Sequence, residues 1–86
     1  MTIPSRGTSE FWKLYRALPI EKRLLAQQYY QHWSANAFNP SLHFKPVRKP
    51  NWSVRIGDYY RAVGKFTGDT FLWEWIGTHE AYNKRF

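Results

Sequence analysis

The sequence has no cysteine. That excludes a disulfide-stapled mini-protein and removes the thiolates that zinc fingers and iron–sulfur clusters require. It has no apolar run approaching the roughly 18–20 residues of a membrane span, and Met1 leads into no apolar signal segment. The simplest expectation is therefore a cytoplasmic protein. Several catalytic signatures are also missing. There is no Gly-x-x-x-x-Gly-Lys loop, no Gly-x-Gly-x-x-Gly turn and no His-Glu-x-x-His helix. His32, His43 and His79 lack ligand spacing, so no metal or other cofactor is expected. Asp58, Asp69, Glu74 and Glu80 are scattered, and Asp58 and Asp69 read as turn residues. Hydrolysis by paired carboxylates has no support. Acidic side chains are scarce altogether, with 6 Asp+Glu against 13 Lys+Arg and a formal charge of +7.

What is present is an aromatic-rich chain of 86 residues, 43% hydrophobic and 20% aromatic, which rules out a disordered tail. The length allows one domain, 1–86, with a single tight core. The positive charge concentrates between Phe44 and Lys65. There Lys45, Arg48, Lys49, Arg55, Arg61 and Lys65 face only Asp58. Threaded with Trp52, Tyr59 and Tyr60, this segment has the composition of a nucleic-acid surface. A solvated basic face and an acidic protein partner are the alternatives that charge alone leaves open.

Patterning predicts an α+β fold. Residues 1–7 read as a frayed lead-in. Thr8 or Ser9 offers an N-cap, and Phe11, Leu14, Tyr15 and Leu18 mark one buried helical face. Pro19 ends that helix and opens a second, whose apolar face is Ile20, Leu24, Leu25, Gln28, Tyr29 and Trp33. The pair should form a helical hairpin. Ser41 to Asn51, punctuated by Pro46 and Pro50, reads as a basic connector with at most a short edge strand. Trp52–Ile56, Tyr59–Phe66 and Thr70–Ile76 then read as an antiparallel β-meander, and Thr78 caps a short C-terminal helix. Trp12, Trp33, Trp73 and Trp75 are expected in the core, whereas Trp52 and Tyr59 border the basic segment and are candidates for stacking on bases.

Loop length fixes the register of the meander. A two-residue Gly57-Asp58 loop would set Arg61 opposite Val54 on the apolar face and bury an unpaired guanidinium, at a cost of several kcal/mol. A three-residue loop, Gly57 to Tyr59, instead sets Arg55 opposite Arg61 on the open face. Two like charges in that relation repel mildly, so the pair suggests an anion such as a phosphate between them. A two-residue Gly68-Asp69 loop pairs Thr67 with Thr70 and brings Arg61 near Ile76, with His79 approaching the same end of the sheet. A His beside a phosphate site can act as general acid or base near neutral pH. Chemistry run by Arg, Lys, His and Tyr points to RNA transesterification over metal-assisted cleavage.

The segments FWKLYRALP, NPSLHFKPV, WSVRIGDYYRAVG and WEWIGTHEAYNKRF together resemble the RelE/ParE toxin superfamily, from about Thr8 to Phe86. The Arg55–Gly57 hairpin with Tyr60-Arg61 is the most specific part, and the Ile-Gly-Thr-His ending looks like the RelE-type branch. The resemblance implies an antiparallel sheet packed against the helical hairpin, and a toxin held inactive by a small acidic antitoxin. RelE-type members enter the ribosomal A site and cut mRNA by attack of the ribose 2′-OH; ParE-type members poison DNA gyrase. On this basis Arg55 matches one basic position of the strand before the hairpin, and Ser53 stands at the other. Arg61 matches the arginine that stabilises charge on the phosphate. His79 and Tyr82 match the C-terminal catalytic positions, as base or acid and as the residue that positions a base or transfers a proton. Lys45, Arg48, Lys49 and Lys65 are expected on rRNA or mRNA phosphates. The family's first strand is not apparent before Thr8, which leads to the expectation of a smaller sheet or a strand supplied by an antitoxin.

Overall fold

A computed structural model describes residues 3–86. Among them the order is β1 (Ser5–Gly7), α1 (Ser9–Arg16), α2 (Ile20–Ala35), a 3-10 turn (Pro40–Leu42), β2 (Lys45–Arg48), β3 (Asn51–Ile56), β4 (Tyr60–Thr67), β5 (Thr70–Thr78) and α3 (His79–Arg85). The strands form one sheet in the order β1-β5-β4-β3-β2, antiparallel except for the β1–β5 pair. This is the expected α+β arrangement, a helical hairpin on an antiparallel meander, with one further strand at each edge.

Local chemistry sets the helix boundaries. The Thr8 hydroxyl accepts the Phe11 N–H at 3.0 Å and caps α1. Pro19 stands just before α2 as its N-cap rather than its first residue. The Thr78 hydroxyl accepts the Ala81 N–H and starts α3 where β5 ends. One face of the sheet carries Val54, Ile56, Ala62, Phe71, Trp73 and Ile76, which pack with Phe11, Ala26, Trp33, Leu42 and Phe44. Trp33 lies at the centre, its ring 5.0 Å from Trp73 and 5.5 Å from Phe71. Such edge-to-face and tilted aromatic contacts contribute beyond the area they bury.

Four expectations are corrected. Of the frayed lead-in, Met1 and Thr2 lie outside the described residues, but Ser5–Gly7 is a strand. The Phe71 N–H donates to the Pro4 carbonyl at 2.8 Å and the Thr8 N–H to the Trp73 carbonyl at 2.9 Å, flanking the parallel register Ser5 to Phe71. Pro4 precedes the strand and contributes only its carbonyl, so its missing N–H breaks no ladder bond, and at Gly7 a Cβ would come within 2.8 Å of the Phe11 and Trp12 rings. The first strand is thus supplied by the chain itself. On α2 the inward strip is Leu25, Ala26, Tyr29 and Trp33, while Ile20, Leu24 and Gln28 are exposed. Small Ala26, at i, i+3 and i+7 with Tyr29 and Trp33, selects that strip. Trp12 is 44% exposed and lies beside Phe11 rather than in the core. Finally, a β-bulge shifts the β4–β5 register between Val63 and Gly64, leaving Glu74 without a partner, so that Arg61 faces Gly77 and not Ile76.

Candidate active site on the open face of the sheet

Residues directly opposite one another share a face. Lys45, Ser53, Val63 and Trp75 are joined by successive register pairs and lie on the face away from the helical hairpin. Arg55 opposite Arg61 lies on the same face, as do Arg48 opposite Asn51 and Asn51 opposite Lys65. The hairpin loop is Gly57 to Tyr59, three residues, which gives the arginine pairing that loop length predicts. Gly57 has φ 61° and its missing Cβ leaves room for the Leu25 side chain of α2, so the loop rests on the second helix.

The two arginines stand in different environments. The Arg55 Nε donates to the Gly57 carbonyl at 2.9 Å and its Nη2 to Asp58 Oδ1 at 2.6 Å. Arg55 is therefore already clamped to its own loop. Arg61 has no such partner: its Nη1 is buried and makes no hydrogen bond. Its guanidinium carbon lies 5.3 Å from the centroid of the Tyr82 ring, a cation–π contact. Arg61 is half-buried and enters no ion pair among the described residues, so its charge is left for an anion at the exposed part of the guanidinium.

The α3 helix brings the remaining groups. Tyr82 packs on Trp75 and Phe86, and its hydroxyl lies 3.4 Å from Oγ of the buried Ser53. The exposed His79 ring runs nearly parallel to that of Tyr82, with centroids 6.1 Å apart. The His79 backbone N–H donates to the Tyr59 carbonyl at 2.7 Å, which ties the start of α3 to the arginine hairpin. Arg55, Arg61, His79 and Tyr82 thus gather at one end of one face, where Arg61 is the guanidinium left without an ion-pair partner and His79 and Tyr82 are groups able to exchange a proton. Among the described residues no His, Cys, Asp or Glu cluster suits a metal ion.

The expected nucleic-acid contacts divide. Lys45 and Arg48 are exposed along the edge strand on this face, and Lys49 lies in the turn beyond it. Lys65 is partly engaged by Glu74 at 3.6 Å, and Glu74 also accepts from Asn51 at 3.2 Å. Tyr59 is 71% exposed at the hairpin tip. Trp52 does not join them. It has the parity of Val54 and Ile56 and packs on Phe44 and Phe66 on the helix side of the sheet. Trp75 is buried as expected, but on the open face beneath α3 rather than in the main core. Three participants were not apparent as such. Ser53 shares the parity of Arg55 and so was within reach of the alternation. Asp58, three residues after Arg55, read only as a turn residue. Phe86 carried no signal.

Residues 21–84 match the model of the ParE-like toxin domain. The chain belongs to the ParE-like toxin family, within the RelE/ParE superfamily. Among solved structures, it resembles a chain of the toxin–antitoxin complex RelBE2 from Mycobacterium tuberculosis, with a TM-score of 0.73 and 16% identity, covering 92% of this chain and 100% of that one. It is similar to a chain of the RelB–RelE complex from Methanococcus jannaschii, with a TM-score of 0.70, 18% identity, and 93% and 96% coverage. It also resembles the YoeB/ParE toxin from Agrobacterium tumefaciens, with a TM-score of 0.69, 15% identity, and 88% and 98% coverage. No curated protein sequence matches. At these identities the structural likeness is one of fold. The family match runs from α2 into α3 and so spans all of Ser53, Arg55, Arg61, His79 and Tyr82 in this ParE-like chain.

Proposed function

We propose that this chain is the toxin of a toxin–antitoxin pair and that it cleaves mRNA on the ribosome, without a metal, by attack of a ribose 2′-OH. The observation that carries this reading is the Arg61 guanidinium, half-buried and in no ion pair among the described residues, opposite Arg55 and in contact with Tyr82, whose ring lies along that of His79. A toxin that acts only by binding another protein needs no such set. In the reaction the 2′-oxygen bonds to the adjacent phosphorus and the 5′-oxygen leaves, giving a 2′,3′-cyclic phosphate and a 5′-hydroxyl. Arg61 stabilises the charge that builds on the non-bridging oxygens, and Arg55 adds a second positive charge across the ladder. His79 exchanges the proton, as base toward the 2′-OH or acid toward the leaving oxygen. Tyr82, with its hydroxyl against Ser53, holds both in position. Lys45, Arg48, Lys49 and Lys65 meet mRNA or rRNA phosphates, which contribute affinity rather than chemistry.

The partner that holds it inactive is a small acidic antitoxin, supported by the net charge of +7 and by the toxin–antitoxin complexes among its structural neighbours. The site of action is the cytoplasm, where ribosomes are. No helix of the described residues is long and apolar enough to cross a membrane. The test is inducible expression in bacteria with mapping of mRNA 5′ ends. Growth arrest with new ends confined to translated transcripts, lost in Arg61→Ala, is the expected result. Arrest with intact mRNA overturns the nuclease reading and moves DNA gyrase to the front.

A further inference from the structure

We propose that the rings of Tyr59 and His79 form a clamp for one nucleobase of the RNA, beside the phosphate held at Arg55 and Arg61. This inference rests on the RNA reading above and adds a base subsite to it. Three aromatic side chains, His79 and Tyr82 of α3 and its C-cap Phe86, lie in a row at i, i+3 and i+7. His79 and Tyr82 are 6.1 Å apart at 20°, and Tyr82 and Phe86 are 5.6 Å apart at 30°. Phe86 meets Trp75 edge-on at 5.5 Å, which anchors the inner end of the row. The row ends at His79, whose ring is exposed. A base can extend it by one member. The hydrogen bond from the His79 N–H to the Tyr59 carbonyl brings a second exposed aromatic residue to that end, 71% accessible at the tip of the arginine hairpin. Tyr59 makes no ring contact with the core among the described residues, and its neighbour in the loop, Asp58, is the one paired with Arg55. Stacking accepts any base, because every base presents a π-face. The face of the imidazole meets the base while its edge nitrogens remain available for proton exchange, so binding and chemistry at His79 are separable.

The probe is a fluorescently labelled single-stranded RNA hexamer with 2′-O-methyl riboses, which cannot be cut. Its affinity is measured by anisotropy along a salt series for the wild type and for Tyr59→Ala, Tyr59→Phe, His79→Ala, His79→Phe and Arg61→Ala. Circular dichroism establishes that each variant is folded. Loss of one stacked base costs about tenfold in affinity. Tyr59→Ala and His79→Ala are expected to weaken binding by about that factor with an unchanged salt slope, and both Phe variants to stay within about twofold of the wild type. Arg61→Ala should instead lower the slope by about 0.7, the value for one phosphate contact. Alanine variants that bind like the wild type, a His79→Phe as weak as His79→Ala, or no wild-type binding at low salt each overturn the clamp. If the alanine effects appear but Arg61→Ala keeps the full slope, the clamp stands and the phosphate assignment falls.

Discussion

Replacing Arg61 with Met should make the protein more stable while removing its activity. The wild-type side chain is half-buried and its Nη1 is fully enclosed without an acceptor. An unsatisfied buried donor costs about 1–3 kcal/mol, at the upper end for a charged group. Two smaller effects enter. The cation–π contact with Tyr82 is worth about 0.5–1 kcal/mol at a partly exposed site and is lost. The like-charge pairing with Arg55 costs a few tenths and is relieved. Methionine retains an unbranched apolar stem of similar length, so little packing is forfeited. The balance favours Arg61→Met by about 1 kcal/mol, a rise of roughly 4–8 °C in Tm for a domain of this size. Thermal melts read this directly. Inorganic pyrophosphate supplies the complementary test: at about ten times its Kd it should stabilise the wild type by about 1.4 kcal/mol and leave the Met variant unmoved. A variant that melts below the wild type refutes the reasoning, because Nη1 would then be satisfied in solution and Arg61 would be a structural residue.

The glycines of the hairpins offer two further tests. Gly57→Ala places a Cβ at φ 61° and within 2.8 Å of Leu25 Cδ2, whereas Gly68→Ala at φ 64° meets nothing within 4 Å. Both should lose about 1 kcal/mol from the left-handed conformation, and the excess loss in Gly57→Ala, read by thermal melting, measures how firmly α2 supports the arginine hairpin. Gly77→Ala directs a Cβ to 2.7 Å from the Trp75 ring, the support of Tyr82 and Phe86. Overpacking there costs about 1–3 kcal/mol, and RNA cleavage should fall more than tenfold because Tyr82 and His79 move with α3; a variant that cleaves normally would show that α3 does not position them.

What the sequence made legible follows from periodicity and loop length. The burial penalty on an unpaired guanidinium was enough to choose the three-residue Gly57–Tyr59 loop and hence the Arg55–Arg61 pairing. The Thr67–Thr70 pairing followed from the Gly68-Asp69 turn in the same way. Local rules also located Thr8 and Thr78 as caps. Other features depend on contacts distant in the chain. A three-residue edge strand such as β1 has too few residues for alternation to register, and its pairing partner lies more than 60 residues away. On α2, Ile20 and Leu24 are as apolar as the residues that are buried; only the fit of Ala26 and Trp33 against the sheet decides which strip turns inward. The Arg55–Asp58 ion pair needed the loop geometry before Asp58 became more than a turn residue.

The bulge at Glu74 links these two kinds of information. Strict alternation along β5 would put Phe71, Trp73 and Trp75 on one face. The extra residue reverses the parity after Trp73, so Phe71 and Trp73 enter the core with Trp33 while Trp75 turns to the opposite face. That reversal gives the open face its own aromatic anchor, Trp75, on whose ring both Phe86 and Tyr82 pack. The same shift sets Arg61 opposite Gly77, where the Trp75 ring fills the space a side chain would take. Glu74, left unpaired, turns to Asn51 and Lys65. One inserted residue therefore lets a single strand line the core with one part of its aromatic run and build the floor of the candidate site with the other. Bulges re-aim side chains in this way, and the placement of Arg61, of Tyr82 beside it and of His79 along Tyr82 all depend on it.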